Sequence, residues 1–215
     1  MTAAHVRFTS TDDGDLGIDL PAVILDPRRS AIAPGPWTWL RQEHGARVVT
    51  VTEPGEHAGA SADAAVTSRP GVPLAVHTAD CGPIALLGRG AVGVVHAGWR
   101  GLAAGVVPAA VAALRHLDPG PIRAVIGPCI RTRCYEFGPA DLDAVAAACG
   151  DVVRGTTAWG TPGLDLVAGI TAALSAAGVH DVDDTGTCTA CSPRHWSYRA
   201  RGDHGRQAVV AWVEP

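Results

Sequence analysis

Three short apolar runs follow one another closely in the middle of the chain, at residues 74–76, 84–87 and 92–95. Each run is rich in Val, Leu, Ile or Ala and is bounded by turn residues, as is typical of buried strands. Parallel strands are joined by crossovers of about a dozen residues or more, and the connections here are shorter. The spacing therefore favours antiparallel or mixed pairing over a doubly wound parallel sheet.

Four further runs of this kind occur along the chain, together with three stretches in which apolar residues recur at helical spacing. The further strands are predicted at residues 48–51, 64–66, 124–126 and 208–212, and the helices at residues 102–114, 139–149 and 164–177. No internal repeat and no long linker divides the 215 residues, so we expect one domain over residues 1–215. The fold class that these elements predict is α+β.

The composition of the chain disfavours several classes of function. Hydrophobic residues make up 47% of the sequence, but no apolar run approaches the ~18 residues of a membrane span, so we expect no membrane contact. The N-terminal residues lack the pattern of a secretory signal, so we expect a cytoplasmic location and reduced thiols at the six cysteines. The net charge is −4 and every basic residue is a scattered arginine, which disfavours nucleic-acid binding and excludes lysine-based chemistry.

Two histidines and one cysteine stand at the ends of predicted strands. His44 precedes one apolar run, Cys81 follows another, and His96 ends a third. Such groups, with glycines beside them, can project into one cleft. Two imidazoles and one thiolate suit Zn²⁺ and leave its fourth tetrahedral position for water or substrate. The three residues do not form a compact motif, so ordinary buried side chains with one hydrogen bond each are the alternative interpretation.

Five motifs occur in a fixed order along the chain. They read QEHG from residue 42, ADAAVTSRPGVPLAVHTADCGP from residue 62, GVVHAGWRGL from residue 93, IGPCIRTRCYEFG from residue 126 and CTACSPRHWSYRARGDHGRQ from residue 188. Together they resemble the YfiH family, also called laccase-domain or multicopper polyphenol oxidoreductase proteins, from about Gln42 to Trp212. The resemblance implies a monomeric α+β sandwich with helices outside the sheets, layered α/β/β/α, and it places the metal ligands at His44, Cys81 and His96.

The residue inventory bears on which metal such a site holds. Multicopper oxidases use many histidines, often in His-x-His pairs, and a cysteine-bound copper with a weak axial ligand that is usually Met. This chain has nine histidines, none of them in a His-x-His pair, and its one methionine is Met1. We therefore expect Zn²⁺ rather than copper, and polyphenol oxidation remains an alternative that rests on the family's label.

The resemblance implies an activity on purine nucleosides. Members are credited with phosphorolysis of adenosine, inosine, guanosine and methylthioadenosine and with adenosine deamination, so the expected partners are a purine nucleoside and phosphate. Arg100, before a predicted helix, suits bidentate phosphate binding at the helix N-terminus, and a surface salt bridge is its alternative role. Asp80 is the candidate proton carrier for deamination, and its alternatives are to cap a turn or to support a ligand imidazole.

Other residues of the motifs are candidates of a second rank. Cys129 is a candidate catalytic residue near the cleft, and Tyr135, Glu136 and Arg199 are candidates to line the substrate pocket. A small buried thiol, side-chain packing and salt bridges explain these four residues equally well.

Two features lie outside the set of ligands that the resemblance implies. His77 would share a strand face with Cys81 if the strand continued, which would bring it near the metal. Cys188 and Cys191 form a lone Cys-x-x-Cys pair, for which a structural zinc site and a redox pair are the alternatives to ordinary thiols.

The N-terminal part of the chain departs from the family. Members commonly open with Arg-Gly-Gly-Val-Ser followed by Ser-Leu-Asn, whereas this chain reads Phe-Thr-Ser-Thr-Asp-Asp-Gly at residues 8–14 and Ile-Asp-Leu at residues 18–20. A member with narrowed specificity, or one that binds without turnover, is therefore an alternative. The remaining alternatives are a cysteine hydrolase that uses Cys81 and His96 as thiolate and base, and an editing factor for nucleotide-linked cell-wall precursors.

Overall fold

Residues 3–214, the part of the chain that the computed structural model describes, contain thirteen strands and six α-helices. The strands are β1 (Ala4–Phe8), β2 (Thr38–Arg41), β3 (Val48–Thr50), β4 (Ala60–Ser61), β5 (Ala64–Thr67), β6 (Leu74–Thr78), β7 (Gly82–Leu87), β8 (Val92–Ala97), β9 (Arg123–Ile126), β10 (Arg154–Thr156), β11 (Pro162–Leu164), β12 (Asp181–Asp184) and β13 (Gln207–Val213). The α-helices are α1 (Ala22–Ile32), α2 (Trp99–Ala103), α3 (Val106–Leu117), α4 (Pro139–Cys149), α5 (Leu166–Ala176) and α6 (Tyr198–Arg201), and 3₁₀ turns occur at Thr11–Asp13, Thr132–Cys134 and Asp151–Val153.

Two mixed sheets contain most of the strands. The first has the strand order β1-β13-β6-β2-β4 and the second the order β12-β9-β7-β8-β5-β3, while β10 and β11 form a separate pair. In the second sheet the central neighbours β5, β8, β7 and β9 pair antiparallel, and the outer pairs β3–β5 and β12–β9 are parallel. The predicted antiparallel or mixed pairing is therefore confirmed. The three closely spaced apolar runs are nevertheless divided between the sheets, because β6 pairs with β13 and β2 in the first sheet.

The two sheets enclose one apolar core and are covered by helices on their outer faces. Val76 and Val209 of the first sheet and Val94 of the second are fully buried in the core between the sheets. Leu114 of α3 belongs to the cluster on the outer face of the second sheet, and Leu25 of α1 belongs to the cluster on the outer face of the first. The α/β/β/α layering expected of the family is therefore confirmed.

The three predicted helices agree with the structure except at one glycine, while α1 and α6 were not predicted. The stretch at residues 139–149 is α4, and the stretch predicted at residues 164–177 contains α5. The helix predicted at residues 102–114 is instead two helices, α2 and α3, because Gly105 between them has a φ of 88°, a left-handed conformation that ends a helix. Arg100 consequently lies inside the first turn of α2, and the prediction that it precedes a long helix was wrong.

The helices described in residues 3–214 are short. The 12 residues of α3 are fewer than the ~20 that a membrane-spanning helix needs. None of the described helices combines the length and apolar character required to cross a membrane. The expectation of one domain over residues 1–215 stays a prediction.

Candidate functional site

The side chains of His44, Cys81 and His96 come together although they lie far apart in the sequence. Their ligand atoms are all within 4.8 Å of one another, and Cys81 Sγ lies 3.7 Å from His44 Nε2. The two imidazole rings are 4.8 Å apart between centroids, with an interplanar angle of 76°. Two ligands on one tetrahedral Zn²⁺ ion lie about 3.3–3.8 Å apart when the bonds to the metal have their usual lengths. The arrangement can therefore hold a single metal ion.

The second sheet and the loops beside it position these three side chains. Cys81 comes directly before β7, and His96 lies in β8 opposite Pro83 of β7. His44 lies in the loop between β2 and β3 with a φ of 58°, which is uncommon for a residue other than glycine. Gly98 follows β8, and a Cβ atom there would lie 2.6 Å from His44 Cδ2 and 3.1 Å from Cys81 Sγ. The missing side chain at Gly98 therefore makes room for the cluster.

A buried carboxylate that the sequence analysis missed, Asp63, links two of the three residues. It lies directly before β5 and is 1% exposed. Its Oδ1 accepts a hydrogen bond from His96 Nδ1 at 2.8 Å and one from the backbone amide of His44 at 3.0 Å. Its Oδ2 accepts the backbone amides of Glu43 at 3.2 Å and Gly45 at 2.8 Å. Asp63 thus holds the loop that carries His44 and fixes the tautomer of His96 that leaves Nε2 free for a metal.

The electrostatics of the cluster favour a charged pair in the metal-free protein. Burial by itself raises the pKa of Cys81, but the charge of His96 and hydrogen bonds from His44 and His96 lower it to about 6. Burial by itself lowers the pKa of His96, whereas Cys81 and the Asp63 carboxylate raise it to about 9. Between these values a thiolate lies beside an imidazolium. A metal ion can replace the imidazolium proton, because metal ligation requires a thiolate and neutral imidazoles.

Asp80, the residue before Cys81, has an unusual backbone conformation that its side chain holds in place. Its φ is 105°, a value that few residues other than glycine adopt. Asp80 Oδ1 accepts the hydroxyls of Thr189 at 2.6 Å and Ser197 at 2.7 Å, and Oδ2 accepts the amide of Arg199 at 2.7 Å. Strain of this kind persists only where the surroundings fix it. These contacts favour a turn-holding role that orients Cys81, and the proton-carrier role of Asp80 stays a prediction.

A cavity of about 730 Å³ opens beside the three clustered residues. Pockets for small ligands typically measure about 300–1,000 Å³, so this cavity has room for a molecule of nucleoside size. Its polar lining comes from the cluster itself, from the segments after β1 and β2, from the end of β6, and from α6 and the segment between α6 and β13. The polar side chains that line the cavity are those of Asp15, Asp19, Gln42, His44, His77, Thr78, Cys81, His96, Tyr198, His204 and Arg206.

His77 is a buried polar side chain in the lining of this cavity. It is 6% exposed, and neither ring nitrogen has a hydrogen-bond partner among the described residues. Burial, followed by the charges of Arg29, Arg206 and His96, lowers the pKa of His77 to about 3, so the ring is neutral. His77 is not part of the group of possible metal ligands, which argues against the metal contact considered from the sequence. Both ring nitrogens are shielded from solvent, although the residue lines the cavity.

The other residues that the sequence predicted for the substrate pocket contact one another or lie at the protein surface. The guanidinium of Arg199 lies 5.0 Å from the ring centroid of Tyr135, and its Nη1 donates to the carbonyl oxygen of Glu136 at 3.1 Å. The exposed guanidinium of Arg100 lies 4.1 Å from the ring centroid of Trp99. None of Arg100, Tyr135, Glu136 and Arg199 is among the described residues that line the cavity. Their role in substrate binding stays a prediction.

Cys129 is a fully buried residue after β9. Burial raises the pKa of its thiol to about 12, so the thiol is neutral at physiological pH. Because a thiolate rather than a thiol is the nucleophile and metal ligand, this environment favours the interpretation of Cys129 as a small buried side chain. Its catalytic role stays a prediction.

Known proteins match the chain over most of its length. A purine nucleoside phosphorylase of Streptomyces coelicolor is 41% identical over 94% of this chain and 86% of its own length. A purine nucleoside phosphorylase of Mycobacterium tuberculosis is 38% identical over 96% of this chain and 86% of its own length.

Solved structures and a family model agree with this match. The YfiH protein of Bacillus licheniformis superposes with a TM-score of 0.86 at 25% identity, over 98% of this chain and 93% of that one. A protein of Neisseria meningitidis superposes with a TM-score of 0.87 at 28% identity, over 100% of this chain and 99% of that one. Residues 19–214 match the model of the multi-copper polyphenol oxidoreductase laccase family. The resemblance inferred from the motifs is confirmed, and the chain belongs to the multi-copper polyphenol oxidoreductase laccase family.

Proposed function

We propose that this protein is a zinc-dependent purine nucleoside phosphorylase. The observation that carries the proposal is the convergence of His44, Cys81 and His96 at the wall of a cavity with room for a nucleoside. The relatives from Streptomyces coelicolor and Mycobacterium tuberculosis are named purine nucleoside phosphorylases, which supports the same reaction here. The expected substrates are phosphate and adenosine, inosine, guanosine or methylthioadenosine.

The donor set of the cluster fits Zn²⁺. Two imidazoles and one thiolate leave a fourth tetrahedral position open, which is typical of catalytic zinc sites. The hydrogen bond from His96 Nδ1 to Asp63 is the support that metal-binding histidines usually have. Mononuclear copper sites also use two histidines and one cysteine, but they add a weak axial ligand that is usually Met, and the one methionine is Met1. Zinc therefore fits these residues better than copper does.

The phosphate substrate needs a cationic partner in the cavity. Arg206 lines the cavity. Burial is the largest cause of the lowered pKa of His77, and the charges of Arg29 and Arg206 lower it further. The Nη1 of Arg206 donates to the carbonyl oxygens of His204 and Gly205 at 2.8 Å each, which leaves Nε and Nη2 for a ligand. We assign phosphate binding to Arg206, since a guanidinium forms strong charge-assisted hydrogen bonds to phosphate oxygens. Arg100, which the sequence favoured for this role, stacks on Trp99 away from the lining residues.

His77 is suited to hold the ribose. A neutral imidazole offers one hydrogen-bond donor and one acceptor, and neighbouring sugar hydroxyls can satisfy both. Its ring nitrogens are shielded from solvent and have no partner among the described residues, so a rotation of the ring that brings them to sugar hydroxyls satisfies buried polar atoms. The side-chain amide of Gln42 fixes the backbone of His77 by accepting its amide at 2.8 Å and donating to its carbonyl at 2.7 Å.

In phosphorolysis a phosphate oxygen forms a bond to the anomeric carbon of the ribose while the bond from that carbon to the purine nitrogen breaks. The electron pair of the broken bond goes to the purine, which leaves as an anion and takes a proton from water. The ribose carbon resembles an oxocarbenium ion in the transition state, so the enzyme gains by positioning phosphate beside it. Bound Zn²⁺ supplies a Lewis acid at the wall of the cavity. Asp80 contributes by holding Cys81 in place.

Chromatography of inosine incubated with zinc-loaded protein, with and without phosphate, tests this proposal. We expect hypoxanthine and ribose 1-phosphate to appear together and only when phosphate is present. Hypoxanthine release without phosphate indicates a hydrolase and contradicts the proposal, as does an absence of base release from all four nucleosides. The same assay with adenosine tests the deamination that the family resemblance implies, since deamination yields inosine without base release.

A cysteine hydrolase is the second candidate function, because Cys81 and His96 form a thiolate and imidazolium pair in the absence of metal. Metal content separates the two candidates. A protein purified without metal, in which iodoacetamide modifies Cys81 rapidly and metal addition does not slow the reaction, supports the hydrolase. Protection of Cys81 from iodoacetamide by one equivalent of Zn²⁺ supports the phosphorylase.

We further propose that the protein acts on free nucleosides as a cytoplasmic monomer. The net charge of −4 disfavours nucleic-acid partners, and the sequence favours reduced cysteines. Light scattering of the purified protein tests the monomeric state, and a mass twice that of the 22.0 kDa chain contradicts it.

A further inference from the structure

A second group of thiols lies apart from the cavity. The sulfur atoms of Cys134, Cys188 and Cys191 are all within 4.8 Å of one another, and Cys134 Sγ lies 3.3 Å from Cys191 Sγ. All three thiols are free, Cys191 is exposed, and the other two are half-buried. The sequence alone offered only the lone pair Cys188 and Cys191. The fold adds a third thiol from a segment 57 residues earlier in the chain.

The backbone holds these three residues in place independently of any ligand. Cys134 ends the 3₁₀ turn Thr132–Cys134. Cys188 and Cys191 lie in one tight turn, in which the Cys188 carbonyl accepts the backbone amides of Cys191 at 3.2 Å and Ser192 at 3.0 Å. Arg131, three residues before Cys134, anchors the two segments to each other through its contacts with Asp184. The thiols are therefore brought together by local geometry rather than by chance contact of mobile loops.

The surroundings of the cluster favour a cation. Burial raises the pKa of Cys188, but hydrogen bonding from the backbone of Arg131, Cys191 and Ala190 and from the Cys191 thiol lowers it overall. Burial and the neighbouring thiols Cys191 and Cys188 raise the pKa of Cys134. A thiolate at Cys188 is thus stabilised by hydrogen bonds. A second thiolate at Cys134 is disfavoured by the neighbouring sulfurs of Cys188 and Cys191 unless a cation lies between them.

We propose that Cys134, Cys188 and Cys191 form a second metal site that binds a thiophilic cation of the Zn²⁺ or Cu⁺ type through three thiolates. Metal-bound thiolates about 2.3 Å from a shared ion lie about 3.8–4.0 Å apart, within the 4.8 Å that these sulfurs span. The Cys134 and Cys191 sulfurs need to separate only slightly, and Cys191 is exposed and free to adjust. Soft thiolate ligands select cations of this type over Mg²⁺ or Ca²⁺.

The second site lies next to two segments that contact the catalytic region. Cys134 precedes Tyr135, whose ring centroid lies 5.0 Å from the guanidinium of Arg199. The segment after Cys191 leads to Ser197 and Arg199, which hold the carboxylate of Asp80. A metal ion bound by the three thiolates links these segments directly. The site is therefore structural, and the ion stabilises the part of the fold that positions Cys81 through Asp80.

Metal stoichiometry in matched variants tests the second site. Protein is prepared under reducing conditions, loaded with Zn²⁺, freed of excess metal and analysed by inductively coupled plasma mass spectrometry. We expect two zinc ions per chain in the unmodified protein, one in Cys81→Ser, one in Cys191→Ser and none in the double variant. Cys149→Ser, which changes a half-buried thiol outside both clusters, is the control and keeps two.

Spectroscopy of Co²⁺-loaded Cys81→Ser protein isolates the second site from the first. We expect thiolate charge-transfer absorption in the near ultraviolet that disappears on adding Cys191→Ser or Cys134→Ser, with circular dichroism unchanged. Use of two independent serine variants guards against local misfolding of either one. Loading with Cu⁺ in place of Zn²⁺ distinguishes which cation of this class the site prefers.

Three results overturn the proposal. The first is a zinc content that Cys191→Ser and Cys134→Ser leave unchanged. The second is a Cys81→Ser protein that holds neither Zn²⁺ nor Cu⁺ while remaining folded. The third is an intact mass lower by two hydrogen atoms under reducing conditions, with Cys134 linked to Cys191, since that identifies a disulfide pair in place of a metal site.

Discussion

The carboxylate of Asp63 accepts a hydrogen bond from His96 Nδ1 at 2.8 Å. The same carboxylate accepts the backbone amides of His44 and Gly45, so a single side chain supports two of the three residues of the candidate metal centre. The two histidines come from different strands and loops, and neither lies close to the other in the sequence. Asp63 is thus the residue that couples their positions.

Replacing Asp63 by Asn should weaken zinc binding by roughly 10–100-fold, the usual cost of removing a carboxylate that supports a metal-bound histidine. The NH₂ group of Asn is a donor and would face the three backbone amides and His96 Nδ1, which are donors too. Some of their hydrogen bonds are therefore lost, and the loop that carries His44 becomes less ordered. Competition with a zinc chelator measures the affinity. Asp183→Asn is the control, because Asp183 is an exposed carboxylate paired with Arg123. Equal zinc affinities for the two variants contradict the role given to Asp63.

Gly98→Ala should disrupt the metal centre without unfolding the protein. The new Cβ lies 2.6 Å from His44 Cδ2, so the His44 ring must move out of coordination range of Cys81. Overpacking of this kind costs about 1–3 kcal/mol, which corresponds to roughly 5–160-fold in metal affinity. Gly138→Ala is the matched control, because a Cβ at Gly138 meets no atom within 4 Å and its φ is −63°. Competition with a zinc chelator measures both affinities, and equal zinc affinities in Gly98→Ala and Gly138→Ala contradict the arrangement described for this cluster.

The stability of the metal-free protein should fall more steeply with acid in the unmodified chain than in His77→Met. The pKa of His77 is lowered from its ordinary 6.5 to about 3, mainly by burial. Below pH 6.5 the unfolded chain therefore binds a proton that the folded chain does not, and this loss of stability continues as the pH falls toward 3. Between pH 7 and pH 5 the difference amounts to about 2 kcal/mol.

Urea unfolding of both proteins at pH 7 and pH 5, in the presence of a metal chelator, measures this difference. The folded pKa of His96 is about 9, so His96 is protonated in the folded state at both pH values and remains in both proteins. Its contribution therefore cancels in the comparison. Identical pH dependence in the two proteins shows that His77 is not held neutral.

Arg206→Gln should raise the KM for phosphate by roughly 10–100-fold, because a hydrogen bond between charged groups contributes about 1.5–3 kcal/mol. The KM for inosine should change much less. Arg100→Ala is the comparison, and we expect less than a roughly twofold change in its phosphate KM because its guanidinium stacks on Trp99. Steady-state kinetics at varied phosphate measures both values. A large rise in the phosphate KM of Arg100→Ala, with little change in Arg206→Gln, contradicts this assignment and gives phosphate binding to Arg100, as the sequence favoured.

Much of the fold could be predicted from the sequence because its central strands are apolar and short. All seven predicted runs are strands, and α4 and α5 lie at the predicted positions. The missed elements carry weak or contrary signals. Strand β12 consists of three aspartates and one valine at a sheet edge, and α1 contains Pro27 in its interior, where proline is normally disfavoured. Packing against the rest of the fold stabilises these two elements, and such packing cannot be predicted from a local sequence pattern.

The candidate site could be predicted in part. His44, Cys81 and His96 were found through the motifs, and the fold brings them together. Asp63 was missed because 33 residues separate it from His96, and a single aspartate before a strand has no distinctive spacing. The role of Asp80 depends on contacts with residues more than 100 positions away in the chain, so only the folded structure reveals it.

The most direct test of the metal centre is an anomalous difference map, collected at the zinc absorption edge, from crystals of the zinc-loaded protein. We predict a strong peak within bonding distance of His44 Nε2, Cys81 Sγ and His96 Nε2, and its loss in crystals of Cys81→Ser. A map with no peak between these three side chains, from protein that contains zinc elsewhere, rules out the proposed metal centre.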